Sequence, residues 1–340
     1  MAMKNFKKHG GFESEDGFVS TKEAYHGMGT IVTEAPTPYQ ALHIAGLDWE
    51  VAKCPLYGAV EVDGEETHMM EYPNKIGLYR TDKNILLGNA SDHYIPIQNI
   101  QIADLIYDVA ESEDLKVETA GSFKNGQRVF FQIDLGSMGL DIGDNTDIIK
   151  QYAMFHSGHD GKTGLSVRQT NYRVTCGNVE SLALRDSAIK LRHMGDGAYD
   201  LTSIKAKLGD IKAQAKLFQR TMEKAIQTDW DNQMMLDYFM KTWQKGTKKS
   251  LPKKKDTKAF DKFNSTMELW HNYANFHEYQ TDCHGTAYSA FQAVTQYATH
   301  DMHVRDNGNG KAEARQLNQM FGRGSRLGHY AGIHLQEALA

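Results

Sequence analysis

Residues 155–185 read FHSGHDGKTGLSVRQTNYRVTCGNVESLALR. The apolar run IIKQYAMFHS (148–157) leads into them and predicts a strand. GHDGKTG (158–164) follows as a turn, because Asp160-Gly161 suits backbone with positive φ. LSVRQTNYRVT (165–175) then alternates apolar and polar residues with a period of two, the pattern of a strand. The spacing next predicts a short helix over GNVESLALR (177–185) and a further strand over SAIKLRHM (187–194). Strand, tight turn and returning strand imply an antiparallel sheet here.

The flanking sequence extends that sheet. KVETAGSFKNGQRVFFQIDLG carries Asn125-Gly126 between two apolar runs, a strong hairpin signal. NKIGLYRTDKNILLGNAS repeats the logic around Thr81–Asn84. Thr37, Pro38 and Gly46 mark the cap, first turn and end of a short helix, with a strand from about Leu47. PIQNIQIADLIYDVAE places Ile97, Ile100, Ile102, Leu105, Ile106 and Val109 at near-helical spacing, which predicts a helix packed on the sheet. Beyond Tyr199 the pattern turns helical, interrupted by the lysine-rich segment 245–258. The fold class expected is α+β: a twisted antiparallel sheet with packed helices, followed by a mainly helical C-terminal part. The expected divisions are a polar tail over 1–24, a sheet domain over 25–198, a helical region over 199–303, and a Gly-rich tail with short helices over 304–340.

Composition bounds the function. Hydrophobic residues make up 40% of the chain, enough for a core, and the net charge is -5. A globally basic coat for nucleic acid is excluded, whereas a local basic groove is compatible with that charge. Three dispersed cysteines, Cys54, Cys176 and Cys283, argue against a disulfide framework and for a reduced, cytoplasmic setting. No apolar run reaches the roughly 18 residues of a membrane span, so no membrane partner is expected.

Gly161-Lys162-Thr163 has the end of a phosphate loop but not its beginning. That motif needs glycine at position 156, which is His, and a helix afterwards, where a strand pattern stands. His156, His159, Asp160 and Cys176 offer a metal-dependent alternative, an enzyme acting on nucleic acid or nucleotides, but no recognised ligand spacing supports it. Cys176 before a helix would be an activated thiol or, more simply, a small buried side chain. VETAG (117–121) lacks the lysine that a common nuclease pattern places two residues after Glu118. No catalytic residue and no cofactor are assigned.

The cations on strands remain. Strand alternation puts Ser166, Arg168, Thr170 and Tyr172 on one face, with Arg173 on the other. Tyr79, Arg80, Arg128, Phe130, Lys190 and Arg192 lie on neighbouring runs. Such a face suits single-stranded nucleic acid, with cations on phosphates and rings on bases. It equally describes a solvated sheet face with salt bridges. The lysine segment would add phosphate contacts or serve as a solvated linker. The contacts expected are Arg128, Lys162, Arg168, Tyr172, Arg173, Lys190 and Arg192.

In order along the chain, YHGMGTIV, AGLDWEVAKCPLY, YIPIQN, ETAGSFKNGQRVFFQIDL, HDGKTGLSVRQTNYRVTCGNVESLALR, LRHMG and GTAYSAFQAVTQYATH form a family signature from Tyr25 to His303. It resembles the phage/plasmid-like family of unknown function, with Tyr25 where Trp is expected. That family is similar in fold to ring-forming single-strand annealing recombination proteins. The resemblance implies a non-enzymatic, phage- or plasmid-encoded protein that binds single-stranded DNA sequence-independently, forms homo-oligomers, and promotes annealing or recombination. It supplies no catalytic residues. An inhibitor of a host enzyme is a third reading, supported by the acidic net charge alone.

Overall fold

A computed structural model describes residues 7–8, 19–20, 30–32, 34–62, 66–111, 116–142, 145–173, 179–180, 189–191, 201–253, 257–306, 308 and 310–340. In the first half, the elements are β1 (Lys7–Lys8), β2 (Val19–Ser20), β3 (Thr30–Ile31), α1 (Pro38–Ile44), β4 (Val51–Val62), β5 (Glu66–Arg80), β6 (Ile85–Ser91), α2 (Asn99–Glu111) and β7 (Val117–Phe123). Then come β8 (Arg128–Ile142), β9 (Asn145–Gly158), β10 (Leu165–Arg173), β11 (Val179–Glu180) and β12 (Ile189–Leu191). Six helices complete the chain: α3 (Leu201–Ile226), α4 (Asn232–Thr247), α5 (Thr257–Phe276), α6 (Ala287–Gln296), α7 (Lys311–Phe321) and α8 (Arg323–Leu339). The class is α+β, with the C-terminal part helical.

The larger sheet runs β1-β3-β2-β7-β8-β9-β10-β11, with β12 also paired to β10; β4-β5-β6 form the smaller one. β2 pairs with β3 in parallel, whereas β1–β3, β2–β7, β7–β8, β10–β11, β10–β12, β4–β5 and β5–β6 are antiparallel. Val19–Ser20 pairs with Ala120 and Thr119, so this part of the expected polar tail is sheet. The helix expected over 177–185 is corrected at Val179 and Glu180, which pair with Tyr172 and Asn171 as a strand. Backbone pairing to the free edge of β10 overrides the local propensity there.

The chain forms two compact units, and the division does not follow the order read from composition. Unit 1 is Met1–Asp134, Met154–Val167 and Ile189–Lys207; unit 2 is Leu135–Ala153, Arg168–Ala188 and Leu208–Ala340. Strands β8, β9 and β10 each contribute residues to both.

In unit 1, Thr37 caps α1 reciprocally with Gln40: the Gln40 N–H donates to Thr37 Oγ1 (3.3 Å) and the Thr37 N–H to Gln40 Oε1 (2.9 Å). Gly46 leaves the helix at φ 65°. Leu42, Leu47, Leu78, Ile102 and Ile106 are buried.

Unit 2 is centred on Trp270, fully buried against Phe239 and Tyr297 with ring centroids 5.5 and 5.7 Å away. Asp231 caps α4, accepting from the Met234 N–H at 2.8 Å, and Lys248 ends it at φ 59°. The lysine segment is therefore shorter than the sequence suggests, since Lys245 is in α4 and Lys258 in α5. Residues 304–340 carry α7 and α8, and α8 is a 17-residue helix packed into the core. Leu327, Ala331, Leu335 and Leu339 follow a four-residue spacing and are buried in the unit 2 core. The glycines misled: Gly246 of α4 lets α8 approach, because a Cβ there would meet Leu327 at 2.5 Å.

Candidate nucleic-acid interface

The turn after β9 is built around one carboxylate. Asp160 Oδ1 accepts the backbone N–H groups of Lys162 (2.9 Å) and Thr163 (3.0 Å), and Oδ2 accepts from Arg128 Nη2 (3.0 Å). Gly161 sits at φ +74°, and a Cβ on it would lie 2.1 Å from the Asn89 carbonyl oxygen. Gly88 makes the reciprocal approach: a Cβ on it would lie 2.5 Å from the Asp160 carbonyl oxygen. The turn therefore rests backbone to backbone on β6. Strand β10 follows it, not a helix, so Gly161-Lys162-Thr163 is a turn and lacks the framework of a phosphate loop.

A buried polar string lies in the same unit. His159 is fully buried, and its Nε2 is 2.8 Å from Asn99 Oδ1. Asn99 Nδ2 donates to the carbonyls of Leu47 (3.0 Å) and Trp49 (3.4 Å), which turns Oδ1 toward the imidazole and makes His159 Nε2 the donor. The His159 ring meets Trp49 edge-on at 5.3 Å, and the Arg80 guanidinium lies 4.3 Å over Trp49. Fully buried Arg80 grips Asp82 through Nε–Oδ1 (2.8 Å) and Nη2–Oδ2 (2.6 Å), and donates to the Asn125 carbonyl (3.1 Å). That guanidinium holds the Asp82 carboxyl below its ordinary 3.8.

This string changes the assignment of several side chains. Arg80 is internal, not part of a polymer-binding face, and so is Phe130. His159 is committed to Asn99, while His156 Nδ1 is 2.5 Å from Ser166 Oγ. Among the described residues no group of three His, Cys, Asp or Glu is placed to hold a metal ion. Cys176 lies outside the described residues.

The expected face on β10 is corrected as well. Ser166 and Thr170 on one side, and Leu165, Val167 and Gln169 on the other, are all buried. The strand has neighbours on both edges, so its polar alternation is not solvated. Arg168 donates to the Met320 carbonyl at the end of α7 and lies 5.2 Å over the Phe321 ring. Of the expected contacts with described side chains, Arg128 and Lys162 are brought together by Asp160, which accepts from the Arg128 guanidinium and the Lys162 backbone N–H. The Arg128 side chain is 26% exposed and Lys162 is fully on the surface. Tyr172 and Arg173 end β10, and Lys190 in β12 stands opposite Ser166, with only their backbones described. Arg192 lies outside the described residues.

Several arginines of unit 2 are committed to backbone carbonyls. Besides Arg168, Arg315 donates to the Thr299 (3.3 Å) and His300 carbonyls, which the π-helical turn Tyr297–Asp301 leaves open. Arg326 Nε donates to the Gly246 carbonyl at the end of α4 (2.7 Å), and Arg323 to His303 (3.2 Å). These planar forks satisfy helix-end carbonyls. Four lysines between α4 and the start of α5 differ. Lys248, Lys249, Lys253 and Lys258 are exposed and make no ion pair among the described residues. Sequence reasoning noted this segment but ranked it behind the strand cations; seven lysines against one aspartate over 245–258 was the usable signal.

A family model described as Domain of unknown function (DUF932) matches residues 86–321, more than two thirds of the chain. The chain belongs to the DUF932 family. No curated protein and no solved structure matches it. The DUF932 match contains the Asp160 turn and the lysine segment, while the outer part of the β4–β5 hairpin and α8 lie beyond its limits. Among the described residues, no helix is long and apolar enough to cross a membrane.

Proposed function

We propose that this chain is a phage- or plasmid-encoded protein that binds single-stranded DNA independently of sequence and promotes annealing or recombination. The reading is carried by the exposed Lys248, Lys249, Lys253 and Lys258, which have no carboxylate partner among the described residues. A short, strongly cationic segment on an acidic body binds phosphates through counterion release and reads no bases. Lys162 and Arg128 supply a second cationic point, on unit 1, where Asp160 offsets part of the charge. Several copies would share one long strand, as the homo-oligomeric reading requires.

Fluorescence anisotropy with single- and double-stranded oligonucleotides across a salt series tests this. Each phosphate neutralised on a single strand contributes about 0.7 to the log–log salt slope. Changing Lys248, Lys249, Lys253 and Lys258 together to Gln is expected to reduce the slope by about 3. Absence of single-strand binding at low salt, tighter binding to duplex, or an unchanged slope in the variant would each overturn the reading.

A further inference from the structure

Strands β4 and β5 form a ribbon that outruns its own sheet. β6 pairs with β5 only between Lys75 and Arg80, so the outer pairs, Tyr57↔Glu71 to Val62↔Glu66, have two strands and no third. Opposite residues share a face, which puts Tyr57, Ala59 and Met69 on one side and Val60 and Met70 on the other. Both sides are open. Tyr57 is 53% exposed, Met69 65%, Met70 59% and Tyr72 59%. An unsupported two-stranded ribbon is marginal in water, and clustered exposed apolar side chains mark interaction surfaces.

The charge on this ribbon selects its partner. Residues 57–75 carry five carboxylates, including Glu61, Glu66 and Glu71, against one lysine. Two such ribbons laid edge to edge would set like charges opposite one another, which is destabilising. A complementary surface must be cationic with a small apolar element. The chain contains one: Lys248, Lys249, Lys253 and Lys258 are exposed, with Leu251 exposed among them.

We infer that the β4–β5 ribbon of one copy docks on the exposed Lys248, Lys249, Lys253 and Lys258 of a second copy. Tyr57 and Met69, which share one side of the ribbon with Glu61 and Glu71, would cover Leu251 and the lysine stems, while those two carboxylates and Glu66 at the last described pair meet the ammonium groups. The two surfaces differ, so the contact is head-to-tail. Repetition closes a ring or extends a filament instead of stopping at a twofold dimer.

Sedimentation of the full chain without nucleic acid tests the inference, and its result is independent of the DNA reading even though the same lysines take part. Wild type is expected to grow with concentration beyond its 38.3 kDa monomer mass. The variant with Glu61, Glu66 and Glu71 changed to Lys is expected to associate at least tenfold more weakly. So is the variant with Lys248, Lys249 and Lys253 changed to Glu. An equimolar mixture of the two restores opposite charges at every contact and is expected to recover the assembly. A monomer at all concentrations overturns the inference, as does a lysine variant that still associates, which would indicate ribbon-to-ribbon pairing. A mixture that fails to recover overturns it too, with circular dichroism of each variant confirming the fold.

Discussion

Gly161→Ala is expected to lower stability by about 3–5 kcal/mol. Two costs combine. At φ +74° an alanine pays the left-handed penalty of roughly 1–2 kcal/mol. Its methyl would also fall 2.1 Å from the Asn89 carbonyl oxygen, a backbone atom of β6 that cannot turn aside. Relief requires the turn to lift from β6, which pulls on Asp160 and therefore on Arg128, Lys162 and Thr163. Gly136→Ala is the matched control: φ is +104°, and nothing lies within 4 Å of its Cβ position. It is expected to cost about 1–2 kcal/mol. Urea unfolding of both variants measures the difference. Equal losses would show that the approach to Asn89 is not the cause.

The same turn shows what the sequence makes legible. Asp160-Gly161 marked a turn because side-chain and backbone chemistry is local. Thr37-Pro38 at a helix start and Asn125-Gly126 between strands were legible for the same reason, and Asn125 indeed takes φ 56°. Local chemistry does not say what covers a strand. Ser166, Arg168 and Thr170 alternate as a solvated face would, yet β10 has neighbours on both edges and both faces are buried. Arg80 read as a surface cation because nothing in its own stretch announces Trp49 or the Asn125 carbonyl, which lie 31 and 45 residues away.

Helix α8 is longer and more buried than the short helices expected over 304–340. Gly324, Gly328 and Gly332 recur every four residues, and composition alone counts them as loop. Placed on one helix, that spacing forms a thin row that is buried beside Leu327, Ala331 and Leu335. The lysine segment was visible throughout. Its significance depended on the arginines, which resemble it in charge but are consumed by carbonyls inside unit 2.

Acid is expected to loosen unit 2 before it titrates most carboxylates, and His334 is the reason. This side chain on α8 is 4% exposed, its Nδ1 lies 3.0 Å from Thr242 Oγ1, and Tyr330 stacks 6.0 Å away. Burial pushes its pKa from 6.5 down to about 4; Lys241 and Lys245 of α4 add to the shift, and Glu337 opposes it. The folded state therefore holds the neutral ring while the unfolded chain takes up a proton near 6.5. Stability is complete above that value and falls as pH drops toward 4, by up to about 3 kcal/mol for a shift of this size. The Lys241–Glu337 pair, 2.5 Å apart, contributes little in this window because both side chains are more than half exposed. His334→Gln keeps a polar group beside Thr242 and removes the titration. Denaturant midpoints at pH 7.5, 5.5 and 4 are expected to decline less steeply in the variant than in wild type. Parallel declines would assign the acid sensitivity to other groups and show that the ring is solvated before unfolding.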